Sequence, residues 1–273
     1  MTDLSTQPQL GPYRLVRRLA DGPLGPRQLA LHERAASNHA ITFVDRLRLP
    51  QDRDRAERAL ADLRELQHAH LLAIDDFGFE DEHGRARAWV ASPYTGDVDG
   101  LVTLATLLKR RGGYLPPMEA RTAIVQVLGA MAYAHGRGVR NGVVTLEQVQ
   151  VDRRGSLALE HYGLAARALW TAPASDDFEQ QELISVLELA YRLVTGLAAE
   201  EPLIPPGRMV PDLDPTWEDW FETGLMQPRQ GKPGFRSAAH ALSALEAGTA
   251  GGAKAEGTLA IFRRVSRLMT PRM

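Results

Sequence analysis

Ala132-Tyr133-Ala134-His135-Gly136-Arg137-Gly138-Val139 closes the most regular segment of the chain. That segment opens at Pro117, where a first helical turn tolerates proline. It sets Ala120, Ile124, Val127, Leu128, Met131 and Ala134 along one helical face. Outward from it, residues 142–159 read as two short strands around a turn at residues 152–155. Residues 178–195 carry Leu183, Ile184, Val186, Leu187, Leu189, Leu193 and Val194 on several sides, which predicts a buried helix stopped by Gly196. A Pro-rich loop over 202–215 leads to helices at 217–225, anchored in the core by Trp217 and Trp220, and at 237–245. Before Pro117, a short helix at 102–109 is stopped by Arg111-Gly112-Gly113. This half of the chain is helical.

Upstream the rhythm is that of strands. Residues 13–20, 27–32 and 39–45 are short strand patterns separated by turn-rich stretches at 21–26 and 33–38. Residues 51–67 break the pattern, with Ala56, Ala59, Leu60, Leu63 and Leu66 at helical spacing among many charges. Two more strands are expected at 71–79 and 86–91, joined by a polar turn at 80–85. The expectation is five strands with one helix after the third.

Composition narrows the chemistry. The 273 residues are 44% hydrophobic and 24% charged, an ordinary balance for a globular chain. With no cysteine there is no disulfide framework, no thiolate metal site and no cysteine nucleophile. A formal charge of −2 gives no global basic field for nucleic acid. No apolar run reaches the roughly 18 residues a membrane span needs, and residues 1–8 are too polar for a signal peptide. A soluble, cytoplasmic protein is expected. Lysine occurs only at Lys109, Lys232 and Lys254, so the first 108 residues hold none.

The order of these segments resembles the bacterial Ser/Thr protein kinases over about residues 11–246. Gly11-Pro12-Tyr13-Arg14-Leu15 is similar to the family's opening strand, and Leu19-Ala20-Asp21-Gly22-Pro23-Leu24-Gly25-Pro26 stands where its glycine-rich loop lies. His39-Ala40-Ile41-Thr42 sits at its Val-Ala-Ile-Lys strand, and Leu66-Gln67-His68-Ala69-His70-Leu71-Leu72 resembles the stretch after its first helix. Ala132 to Val139 is similar to the end of the helix before its catalytic loop. The resemblance implies an α+β, kinase-like two-lobed fold. Its parts are a loose N-terminus (1–11), a five-stranded antiparallel N-lobe with one helix (12–94), a mainly helical C-lobe (95–246), a linker (247–258) and a basic tail (259–273). It also implies a hinge at Ala91, Ser92 and Tyr94.

Carried over position by position, the resemblance implies a degenerate catalytic apparatus. The loop keeps Gly22 and Gly25 but has Ala20 for its first glycine, and Pro23 and Pro26 remove two backbone donors. It reads better as an ordinary hairpin turn. The phosphate-pairing lysine falls on Thr42, with Arg46 and Arg48 too far along to replace it, and its partner glutamate falls on Ala59. In the catalytic loop, Asn141 takes the place of the leading histidine. Val143 takes that of the catalytic base, Thr145 that of the loop lysine and Gln148 that of the metal-binding asparagine. The second metal ligand, an aspartate in the family, falls on His161, and imidazole suits a hard cation poorly. The activation segment is short, with Thr171 its one candidate phosphosite, and the helix aspartate that braces the loop becomes Glu182. No catalytic residue, no ATP or magnesium cofactor and no metal site is expected, and no enzyme activity.

Elsewhere, His68 and His70 read as structural, Asp75 as a strand acid and Asp176-Asp177 as a helix start. In the tail Leu259, Phe262, Val265 and Leu268 recur every three residues, with Arg263, Arg264 and Arg267 opposite. Such a segment suits a protein partner or an anionic membrane surface, or else it is the frayed last helix of the domain. The functional expectation is a non-catalytic binding scaffold or allosteric partner in bacterial signalling, its protein partner unidentified. The alternatives are a weak, unorthodox Ser/Thr kinase with a remade active site and a metal-independent nucleotide sensor.

Overall fold

A computed structural model of the chain describes residues 8–44, 50–82, 85–169 and 176–248. Arg46, Arg48, the 170–174 stretch with Thr171, and the whole tail from Leu259 to Leu268 lie outside the described residues. The chain divides into two units. The first is built from residues 1–67, 71–101 and 160–172, the second from 68–70, 102–159 and 173–273.

The first unit is an antiparallel sheet of β1 (Gln9–Leu10), β2 (Tyr13–Gly22), β3 (Gly25–His32), β4 (Ser37–Val44), β5 (Asp76–Glu82) and β6 (Arg85–Pro93). The strands run in the order β1-β2-β3-β4-β6-β5. Six strands stand where five are expected, because Gln9–Leu10 turns at Gly11 and pairs back on Tyr13 and Arg14. β4 lies between β3 and β6, and every residue from His39 to Val44 is buried. One face of the sheet packs Leu10, Tyr13, Leu15, Ile41, Phe43 and Trp89 together. Gly78 stands directly opposite Trp89, and a Cβ there would meet the indole at 2.6 Å, so only glycine fits.

Helix α1 (Pro50–Arg64) buries Ala56, Ala59, Leu60 and Leu63, the stripe its spacing predicts. The strand expected at 71–79 starts only at Asp76. Leu71, Leu72 and Ile74 are buried without a ladder. The register puts Asp76 opposite Ala91, so Ile74 would face Pro93, which has no N–H to give.

The second unit holds α2 (Leu104–Arg110), α3 (Pro117–His135), β7 (Val149–Val151), β8 (Leu157–Leu159), α4 (Asp176–Thr195), α5 (Pro215–Phe221), α6 (Gln227–Arg229) and α7 (Ala238–Ala247). Thr103 caps α2 by accepting from the Thr106 N–H, and Gly112 and Gly113 follow it at φ +84° and +99°. β7 and β8 form a two-stranded ladder around Asp152, whose Oδ1 accepts from the N–H groups of Arg154 and Ser156. On α4, Leu183, Val186, Leu187, Leu193 and Val194 are all essentially inaccessible. Each such side chain stabilises the fold by roughly 1.5–3 kcal/mol. Gly196 ends the helix at φ +78°, as its place in the sequence predicts.

Trp217 and Trp220 are core anchors, 1% and 2% exposed; Trp217 stacks on Phe221 and Trp220 donates to the Ala241 carbonyl at 2.8 Å. The helix expected over 217–225 changes to a π turn at Glu222–Met226, which seats Gly224 against Leu187 and Phe235. Among the described residues no helix is long and apolar enough to cross a membrane.

Candidate functional site

Each unit brings together part of the sequence-derived set. In the first, Thr42 on β4 is 1% exposed and sits directly opposite Arg27 on β3. The chain returns to this sheet at Glu160-His161, with His161 at φ +47°, a conformation non-glycine residues rarely adopt, and Gly163 at +81° closing the turn. That turn delivers two side chains. His161 sets Nε2 3.0 Å from Thr42 Oγ1, and Glu160 forms a buried ion pair with Arg27 through Oε2. Both ends of that pair are 2% exposed.

His161 is buried and neutral. Burial, with the positive charge of Arg27 added, pushes its pKa down to about 3. Its Nε2 faces two oxygens, Thr42 Oγ1 and, at 3.5 Å, Glu160 Oε1. That arrangement assigns the ring proton to Nε2 and leaves Nδ1 as a lone pair, which meets no hydrogen-bond partner. Arg27 Nε is likewise buried without a hydrogen-bond partner.

Gly22 and Gly25 face each other across the β2–β3 hairpin, as the hairpin reading expects. Gly22 has a further use: a Cβ there would overlap the Arg27 guanidinium. Ala59 is buried on α1 and supplies no carboxylate. Ala91 and Ser92 are buried in β6, where the Ala91 carbonyl accepts from the Asp75 N–H, and the Tyr94 hydroxyl donates to the Asp97 carbonyl at 2.6 Å.

In the second unit, the loop from Asn141 to Gln148 is held from below. Glu182 on α4, fully buried, accepts from the N–H groups of Asn141 at 3.1 Å and Gly142 at 3.4 Å, and lies 3.3 Å from His135 Nε2. Glu182 therefore makes the bracing contact that the resemblance implies for it. Asn141 and Gln148 exchange two hydrogen bonds, Nδ2 to Oε1 at 3.0 Å and Nε2 to Oδ1 at 2.9 Å. Val143 is 57% exposed and Thr145 is exposed, so neither a base nor a cation stands at these positions. His68 and His70 stack edge to face, and His70 bonds the Leu157 carbonyl, a structural role. Among the described residues no group of three or more His, Asp or Glu is placed to hold a metal ion.

The residue that sequence reasoning missed is Arg27. The sequence reading looks for a cation only along the strand of Thr42, whereas this buried one stands across the ladder from it. Its guanidinium, with an unused Nε beside a glycine, fits the oxygens of a phosphate. A divalent cation fits less well at the two family positions. His161 offers a neutral nitrogen, and the Gln148 amide is engaged with Asn141.

No family model matches the chain. CBL-interacting protein kinase 4 of Oryza sativa subsp. japonica is 32% identical over 163 residues, 59% of this chain and 34% of that protein. CBL-interacting protein kinase 17 of the same plant is 25% identical over 159 residues. The chain spans about a third of the length of these relatives. The Mycobacterium tuberculosis PknI kinase domain superposes with a TM-score of 0.67 at 19% identity, over 90% of this chain and all of that one. A second structure of that domain gives 0.68 at 20% identity.

These findings correct two expectations drawn from the degenerate positions. The relatives are protein kinases by name, which overturns the expectation of no enzyme activity and, with it, that of no ATP or magnesium cofactor. Thr42, Ala59, Val143, Gln148 and His161, which depart from the pattern that the resemblance implies, stand within a kinase-like fold. The two-lobed α+β expectation stands, and the chain has a protein kinase-like fold.

Proposed function

We propose that the chain is an unorthodox protein kinase of the Ser/Thr type, in which Arg27 takes over the phosphate-holding part that Thr42 cannot play. The observation that carries this reading is the buried Arg27–Glu160 pair, set opposite Thr42 and next to His161. In phosphoryl transfer the protein mostly positions groups and offsets charge, and a guanidinium supplies both. ATP supplies the phosphoryl group. Its terminal P–O bond breaks, a bond to an acceptor hydroxyl forms, ADP leaves and the hydroxyl proton passes to solvent. Arg27 orients phosphate oxygens, Thr42 holds His161 beside Glu160, and Glu182 fixes the loop that carries residues 141–148.

Val143 offers no proton acceptor, and a positioned base contributes about 10²–10⁴ in rate, so turnover should be slow. Incubation with radiolabelled ATP and a Ser/Thr peptide mixture tests the reading. Slow transfer is expected, abolished in Arg27→Met/Glu160→Gln. No transfer above that double variant overturns it and returns the chain to a binding role. The basic tail (Leu259, Phe262, Arg263, Arg264, Arg267, Leu268) is proposed, on its sequence alone, to contact a protein partner or an anionic surface. Truncation after Ala250 should abolish co-sedimentation with anionic vesicles or partner while leaving the melting temperature unchanged.

A further inference from the structure

We infer that Arg27 is a self-gated phosphate clamp: its guanidinium rests on Glu160 against Gly22 and must leave that carboxylate to take the phosphate oxygens of a nucleotide. The inference rests on reading the first unit as the nucleotide-handling one. Three observations meet here. The pair is 2% exposed at both ends, so Glu160 satisfies Arg27 in place of water. Arg27 is nevertheless not saturated, since its Nε is buried without a hydrogen-bond partner. The guanidinium also lies where a Cβ of residue 22 would be, against the backbone of the β2–β3 hairpin.

Charge decides how such a cluster treats a ligand. Arg27 and Glu160 cancel, His161 is neutral and Thr42 carries no charge, so a polyphosphate meets no net attraction while the pair is closed. Carboxylate and phosphate compete for the same planar fork of donors. Glu160 has somewhere to go, because its Oε1 already lies 3.5 Å from His161 Nε2. The carboxylate is thus a competitive occupant of the clamp, and removing its charge should tighten the ligand.

Calorimetric titration of the full chain with ATP and with inorganic tripolyphosphate tests this. Glu160→Gln should tighten both probes by tenfold or more. Arg27→Met/Glu160→Gln, which keeps the buried pair uncharged, should bind neither. Unchanged or weakened binding by a folded Glu160→Gln overturns the clamp, as does a gain confined to ATP. Should Glu160→Gln fail to fold, arginine side-chain NMR of the unaltered protein replaces it. The Nε–H resonance missing from the double variant should shift on adding tripolyphosphate, and an unmoved resonance overturns the inference. The kinase reading fails separately: tightened binding without phosphotransfer keeps the clamp and removes the kinase, while transfer without tightening does the reverse.

Discussion

Set against the groups that the kinase resemblance implies, the cluster around Arg27 and the loop around Asn141 differ in opposite ways. In the first unit, charge is kept but relocated. The buried cation stands on the facing strand rather than at Thr42, and the buried carboxylate at Glu160 rather than at Ala59. In the second unit, the positions compared are neutral, an Asn141–Gln148 amide pair and an exposed Val143, over a support that is ionic through Glu182 and the Arg140–Glu179 pair. A buried ion pair cannot be given up one residue at a time, since either partner alone is an uncompensated charge. A solvated loop position is free to drift. Burial separates the two: Arg27 and Glu160 are 2% exposed, whereas Val143 is 57% exposed.

The comparison breaks most visibly at Arg27. Arg27→Met leaves the Glu160 carboxylate buried beside a neutral ring and should cost about 3–5 kcal/mol. Arg27→Met/Glu160→Leu should recover most of that loss in a denaturant titration. A single variant as stable as the parent would mean that the pair is not closed in solution.

Next in size is the support of the second unit. Glu182→Gln keeps an acceptor but removes the charge behind two backbone hydrogen bonds. Such charge-assisted bonds contribute about 1.5–3 kcal/mol each, so a loss of that order is expected. Amide hydrogen exchange at Asn141 and Gly142 should accelerate with it.

His161 sharpens the contrast through pH. Its folded pKa of about 3 lies below the ordinary imidazole value of 6.5, so below pH 6.5 the unfolded chain binds the extra proton. The contribution of His161 to stability is complete above that value and falls as pH drops toward 3, with a limiting slope of about 1.4 kcal/mol per pH unit. His161→Gln should lack this part of the acid dependence. Parallel stability curves for parent and variant between pH 6.5 and 5 would place the ring in contact with solvent.

Much of this architecture is legible in the residue order. Pro117–His135 has the bounds that its apolar spacing predicts, because a long buried helix writes its period many times over. Gly112, Gly113 and Gly196 stop helices where they stand, at positive φ. The strand at Asp76 was harder, since Leu71, Leu72 and Ile74 are buried as loop, and an apolar run does not say whether its backbone is paired. Arg27 was illegible for a different reason. Its importance depends on the register that sets it opposite Thr42 and on a turn 133 residues later that brings Glu160, and neither is local. The signal in hindsight is that β3 buries only two of its residues, Arg27 and Ala30, one of them charged.

The smallest expected effect belongs to the amide pair. Asn141 and Gln148 exchange two neutral hydrogen bonds, and Asn141 Nδ2 also donates to the Val143 carbonyl. Neutral bonds contribute about 0.5–1.5 kcal/mol net, because folding trades them against water. A double-mutant cycle of Asn141→Ala and Gln148→Ala should therefore give a coupling near 1 kcal/mol, with both singles still fully folded. The kinetic consequence separates the two units. If the pair only stiffens a loop that Glu182 already holds, the variants should alter phosphotransfer less than Arg27→Met/Glu160→Gln does, and should leave the affinity for tripolyphosphate untouched. A coupling of several kcal/mol, or a tripolyphosphate affinity that falls with the amides, would mean that the second unit governs the clamp as well, and the division between relocated and discarded charge would fail.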